Sequence, residues 1–261
     1  MQAQHKLFLG LLSLGYGMAL AAGGLDAPAA GALSALVLAG LCVGADYKWM
    51  RVSGHCLFLL TALGLAAHLL PGFNSAKVID DARFTADALP FSMRLNLDKP
   101  LIGFWILLAC PWLLPSISWR RCLTVTAIAL LTTLSLCMGL AVLLDVVRWM
   151  PKWPQQGFLW AANNLLLAIL AEELLFRAYL QGLFERWCKP LAWGPVLAVA
   201  ASASLFGLAH AGSGWPMVLL SGIAGIGYGI AFRLGGLGAA VLCHFGLNLL
   251  HFGLFTYPML E

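Results

Sequence analysis

Two adjacent glutamates, Glu172 and Glu173, interrupt the apolar run from Leu165 to Phe176, and Arg177 follows four residues after the second. Ionisable side chains inside such a run are expensive to bury in a membrane, so each needs a reason to be there. Neighbours on a helix point about 100° apart, so the two carboxylates face different surroundings. Glu173 and Arg177, with the acid first at i and i+4, have the favourable order for an ion pair along a helix. That leaves Glu172 as the odd carboxylate, suited to proton exchange with a substrate or a water. A second cluster follows at Phe206 and His210, four apart on one face. A third comprises His244, Asn248 and His251 at i, i+4 and i+7. This polar stripe on an apolar helix must face a bundle interior, since an amide in hydrocarbon needs partners. Its plainest reading is an interhelical hydrogen-bond seam.

These residues must be positioned by helices in a membrane. The 261-residue chain is 61% hydrophobic and only 10% Asp, Glu, Lys and Arg. A soluble domain carries roughly a quarter charged residues, so a soluble enzyme and a disordered chain are excluded. No concentrated basic face exists for nucleic acid. The apolar residues come in long runs without alternation, which excludes an outer-membrane barrel. The fold class is all-α: a polytopic transmembrane helical bundle of eight or nine spans. The candidate segments are Leu7–Gly24, Ala29–Ala45, Val52–Leu70, Leu101–Leu114, Cys122–Val147, Gly157–Phe184, Pro195–His210, Pro216–Leu234 and Leu237–Tyr257. The fourth is short and contains Pro111; without it eight spans remain.

With nine spans, Lys6, Lys48, Arg51, Arg120, Arg121, Arg186, Lys189 and Arg233 fall on one side. The short loops of the other side carry only Arg148 and Lys152. The bias of basic residues toward the cytoplasm then puts the N-terminus inside and the C-terminus outside, in what reads as a prokaryotic inner (plasma) membrane. The first run ends in Ala-Leu-Ala-Ala-Gly-Gly like a signal peptide, but further spans follow at once, so an uncleaved first helix is expected. One integral domain is expected, with N-terminal helices over 1–150, a polar connection at 71–100 and C-terminal helices over 151–261. The connection is expected to hold a short interfacial helix around Asp80–Leu89. The seven cysteines have no CxxC spacing and read as packing residues. Gly225 and Gly229, like Gly207 and Ala211, have the small-xxx-small spacing of closely packed helices.

Taken in order, Glu-Glu-x-x-x-Arg, Phe-x-x-x-His and His-x-x-x-Asn fall on three of the last four spans. This pattern resembles the CAAX prenyl protease and bacteriocin-processing family, also called the Abi or CPBP family of intramembrane endopeptidases. The resemblance covers roughly residues 155–255. It implies an intramembrane endopeptidase acting on a membrane-inserted or lipid-anchored protein or peptide, with the bilayer as its surroundings. It implies Glu172 as the base that activates water, His210 as its partner, and His244 and Asn248 as oxyanion stabilisers. Glu173, Arg177 and Phe206 would support them. No cofactor is expected, because HExxH is absent and Asn is a poor zinc ligand. Zinc on Glu172, His210 and His244 is the alternative. Competing functions are a proton-coupled transporter, for which internal repeats are missing, and a non-catalytic immunity or scaffold protein. One difficulty is depth. His210 falls near the outer end of its span and His244 nearer the inner end of its own.

Overall fold

A computed structural model describes residues 2–113 and 117–261, with side chains from Gly10 onward. Leu114 and the side chain of Lys6, both used above, lie outside that description. The helical class expected from the sequence holds. Helices α1 (Gln2–Ala21), α2 (Ala29–Val43), α3 (Lys48–Ala66) and α4 (Lys99–Ala109) precede α5 (Trp119–Leu143), α6 (Gly157–Trp187), α7 (Gly194–Leu208) and α8 (Trp215–Leu254). Among the described residues, α3, α5, α6 and α8 are long and apolar enough to cross a bilayer. The described part of α1, with α2, α4 and α7, is apolar but shorter. The fourth candidate span therefore contracts to the 11 residues of α4. Asp98 starts it by accepting the Lys99 backbone N–H at 2.8 Å, and Pro111, which lacks a donor, follows its end.

The expected interfacial helix around Asp80–Leu89 is absent. Strands β1 (Ala76–Ala82) and β2 (Phe91–Leu95) form a two-stranded sheet there instead. Val78 and Ile79 are β-branched and favour extended backbone. Of the strand side chains only Ile79 and Met93 are buried, so the segment has no apolar helical face to bury.

The chain divides into two compact units, residues 1–78 with 94–111 and residues 79–93 with 112–261. In the first, Phe58 and Trp105 stack at 3.8 Å. The Trp105 indole donates to the Leu36 carbonyl at 2.8 Å, tying α2, α3 and α4 together. The second unit carries all the candidate site residues. Its core includes Cys137, Met138, Phe206, Ala224, Tyr228, Ala231, Ala239, Cys243 and Leu247, from α5, α7 and α8. All seven cysteines are free.

Helix α8 is not one rod. Gly236 has φ 76° and ψ −176°, a conformation that only glycine adopts without strain. Tyr228 and His244, 16 residues apart, would be about 24 Å apart along a straight helix. Their rings are 4.4 Å apart. The chain therefore folds back at Gly236 and forms a helical hairpin of 215–235 and 237–254, which keeps the expected boundary between the last two segments. Tight packing on α7 follows from small residues. A methyl group at Gly207 would come within 2.7 Å of the Val218 carbonyl oxygen, and one at Gly225 within 3.1 Å of the Ala203 Cα.

Candidate active site

The centre of α6 has an altered winding. Wide i→i+5 turns run through Asn164–Ile169 and again through Leu174–Gln181, on either side of Leu170–Glu173. Such turns re-aim side chains and concentrate at functional sites. Glu173 is fully buried and Glu172 half-buried, so the two carboxylates differ as the 100° argument requires. Arg177, also fully buried, donates from Nε to Glu173 Oε2 at 3.1 Å. The expected i,i+4 pair is therefore present. The guanidinium also donates to Ser202 Oγ on α7 at 3.1 Å, and Ser202 donates to the Phe176 carbonyl at 2.7 Å. The rings of Phe206, Tyr228 and Phe176 lie 4.9, 5.7 and 5.9 Å from the guanidinium carbon. A desolvated cation gains from such faces.

The second oxygen of Glu173 has its own partner. His244 Nδ1 donates to Glu173 Oε1 at 2.9 Å, and His244 is buried. A carboxylate can only accept, so the proton of this bond sits on His244 Nδ1 and its Nε2 is the free position. Tyr228 stacks on the imidazole at 4.4 Å and Phe206 meets it edge-on at 5.6 Å. Glu173 thus links Arg177 to His244, and is not confined to the ion pair with Arg177.

His210 follows the end of α7, half-buried. Its Nδ1 donates to the Phe206 carbonyl at 2.8 Å and its ring lies 4.8 Å from that of Phe206. Both histidines therefore fix Nδ1–H within the protein and leave Nε2 available. Phe206 touches both, which removes the depth conflict. Helix α7 has only 15 residues, about 22 Å, and the hairpin at Gly236 returns His244 to the same level.

Asn248 donates from Nδ2 to Asn164 Oδ1 at 3.3 Å. His251 bonds the Thr256 carbonyl through Nε2 at 3.2 Å. Ser202, Tyr228 and Asn164 were not singled out as site residues by the sequence. Only the adjacent Asn163 and Asn164 on an apolar helix gave a signal for one of them.

Zinc needs three or four converging donors. Among the described residues, no group of three or more His, Cys, Asp or Glu side chains is placed to hold a metal, Glu172, His210 and His244 included. What the arrangement can do is acid–base and hydrogen-bond chemistry: a half-buried carboxylate, two imidazoles oriented through Nδ1 and an amide held by a second amide.

Residues 154–250 match the family model described as type II CAAX prenyl endopeptidase, Rce1-like. No curated protein and no solved structure matches the chain. The apolar spanning helices make the chain an integral membrane protein, and the segment that carries Glu172, Glu173, Arg177, Phe206, His210, His244 and Asn248 is similar to the Rce1-like type II CAAX prenyl endopeptidases.

Proposed function

We propose that this protein is an intramembrane endopeptidase that hydrolyses a peptide bond of a membrane-inserted or lipid-anchored protein, without a metal. Eight or nine crossings with a cytoplasmic N-terminus complete the reading. The observation that carries it is the buried Arg177–Glu173–His244 chain beside Glu172, in a segment similar to CAAX endopeptidases. A structural ion pair alone would need only Arg177. The bond to a histidine 71 residues away organises a reactive group.

Glu172 takes a proton from water as the water oxygen attacks the scissile carbonyl, and His210 Nε2 orients that water. The carbonyl oxygen becomes an oxyanion. Asn248 donates an amide N–H to it, and His244 donates from Nε2. With Nδ1–H already committed to Glu173, His244 donates from Nε2 as the imidazolium, in which both ring nitrogens carry a hydrogen. On collapse the C–N bond breaks and Glu172 returns its proton to the leaving amine. Losing one preorganised oxyanion donor typically costs about 100–1000-fold. Zinc would be the alternative source of oxyanion stabilisation.

The test is cleavage by the purified protein in proteoliposomes. The substrates are a farnesylated peptide with a C-terminal CAAX sequence, its unprenylated counterpart and a set of single-span peptides, with products read by mass spectrometry. The expected result is cut products from at least one membrane-anchored substrate, none from the soluble peptide, and none with Glu172→Gln. Intact substrates throughout, with a folded protein, would contradict the reading.

A further inference from the structure

We propose that Asn164 is a positioning residue for the reaction, holding the Asn248 amide so that it presents an N–H to the oxyanion; this rests on the peptidase reading above. The two side chains come from distant places, 84 residues apart. Asn164 lies on the first of the wide turns of α6, and Asn248 one turn beyond His244 on the returning arm of α8. The terminal torsion of an asparagine is broad and roughly two-fold. An unheld amide would therefore turn either its oxygen or its nitrogen toward a substrate. An oxygen facing a developing oxyanion repels it. Asn164 Oδ1 takes one N–H of Asn248 Nδ2 at 3.3 Å, which fixes the nitrogen on that side and leaves its second N–H to donate. Preorganisation of this kind is what makes an oxyanion donor effective. The neighbouring Asn163 cannot share the task, because its Oδ1 is buried without a hydrogen-bond partner. The wide turn starting at Asn164 gives the altered winding a purpose: it sets which of two consecutive asparagines meets α8.

The experiment measures kcat, KM and thermal unfolding for Asn163→Ala, Asn164→Ala, Asn164→Asp, Asn248→Ala and the Asn164→Ala/Asn248→Ala double variant, on the best substrate of the panel above. Asn164→Ala should lower kcat by roughly 10–100-fold with KM little changed, the scale on which a misplaced reacting group costs. Asn164→Asp keeps an acceptor oxygen in place and should recover most of that loss. The double variant should be no slower than Asn248→Ala alone, and Asn163→Ala should match the parent. A parental kcat in Asn164→Ala beside a crippled Asn248→Ala would overturn the positioning role and leave the oxyanion reading standing. A parental rate in Asn248→Ala would overturn both. Equal losses of rate and melting temperature in Asn163→Ala and Asn164→Ala, unrelieved by Asp, would reduce Asn164 to helix packing.

Discussion

Removing Arg177 separates the structural from the chemical part of the buried chain. Arg177→Ala leaves the Glu173 carboxylate, fully buried, with one partner in place of two. Breaking one side of a buried pair costs about 3–5 kcal/mol because a charge is stranded. The Glu173–His244 bond survives, which places the loss at the lower end. At about 3 kcal/mol the melting temperature of a chain this size should fall by about 6–12 °C. Adding Glu173→Gln removes the stranded charge, so the double variant should recover part of that loss. Activity should not recover, since the carboxylate that accepts the His244 Nδ1–H and holds the ring is gone. The assay is thermal unfolding in detergent of both single variants and the double, paired with turnover of each preparation. Additive stability losses in the double variant would refute the coupling. Recovery of activity together with stability would refute the role given to the Glu173–His244 bond.

Glu172→Gln and His210→Ala should each abolish cleavage while leaving the unfolding temperature near that of the parent, whereas His251→Ala should be mild because it bonds the Thr256 carbonyl and no site residue. Gly207→Ala should destabilise by about 1–3 kcal/mol through overpacking against the Val218 carbonyl. Gly222→Ala on the facing helix meets nothing within 4 Å and should be near neutral, as denaturation of the two variants side by side will show. Burial pulls the Lys152 ammonium down to about 8 from its ordinary 10.5. The folded protein then binds fewer protons than the unfolded chain between pH 8 and 10.5, so Lys152 contributes a stability that rises with pH across that window. Melting temperatures of the parent and Lys152→Met over the same range should converge as the pH rises. Elemental analysis of the purified protein should find no stoichiometric zinc, and strong chelators should not inhibit it.

The sequence made some of this legible and left the rest hidden for identifiable reasons. The i,i+4 relation of Glu173 and Arg177 is local, and a single helix realises it. The Gly235–Gly236 pair between two apolar runs marked the return of α8. The bond between His244 and Glu173 was out of reach, because it depends on how far the second arm of the hairpin slides along α6. Ser202 looked like one more small residue in an Ala-Ser-Ala-Ser stretch. Only the meeting of α6 and α7 turns it into an acceptor for Arg177. Tyr228 was hidden among glycines that mark close packing, and its stacking on His244 needs the reversal at Gly236. The connection at 71–100 was misread because its polar composition suits a surface helix. Pairing of β1 with β2 outweighed that preference.

The central claim is that Glu172, and no metal, activates the water. The measurement that tests it most directly is single-turnover cleavage in proteoliposomes by the parent and by Glu172→Gln, each with and without a strong zinc chelator and with equal melting temperatures verified beforehand. The account predicts unchanged parental turnover in chelator and no product from Glu172→Gln in either condition. Parental turnover by Glu172→Gln, or parental activity lost in chelator and restored by added zinc, would contradict it.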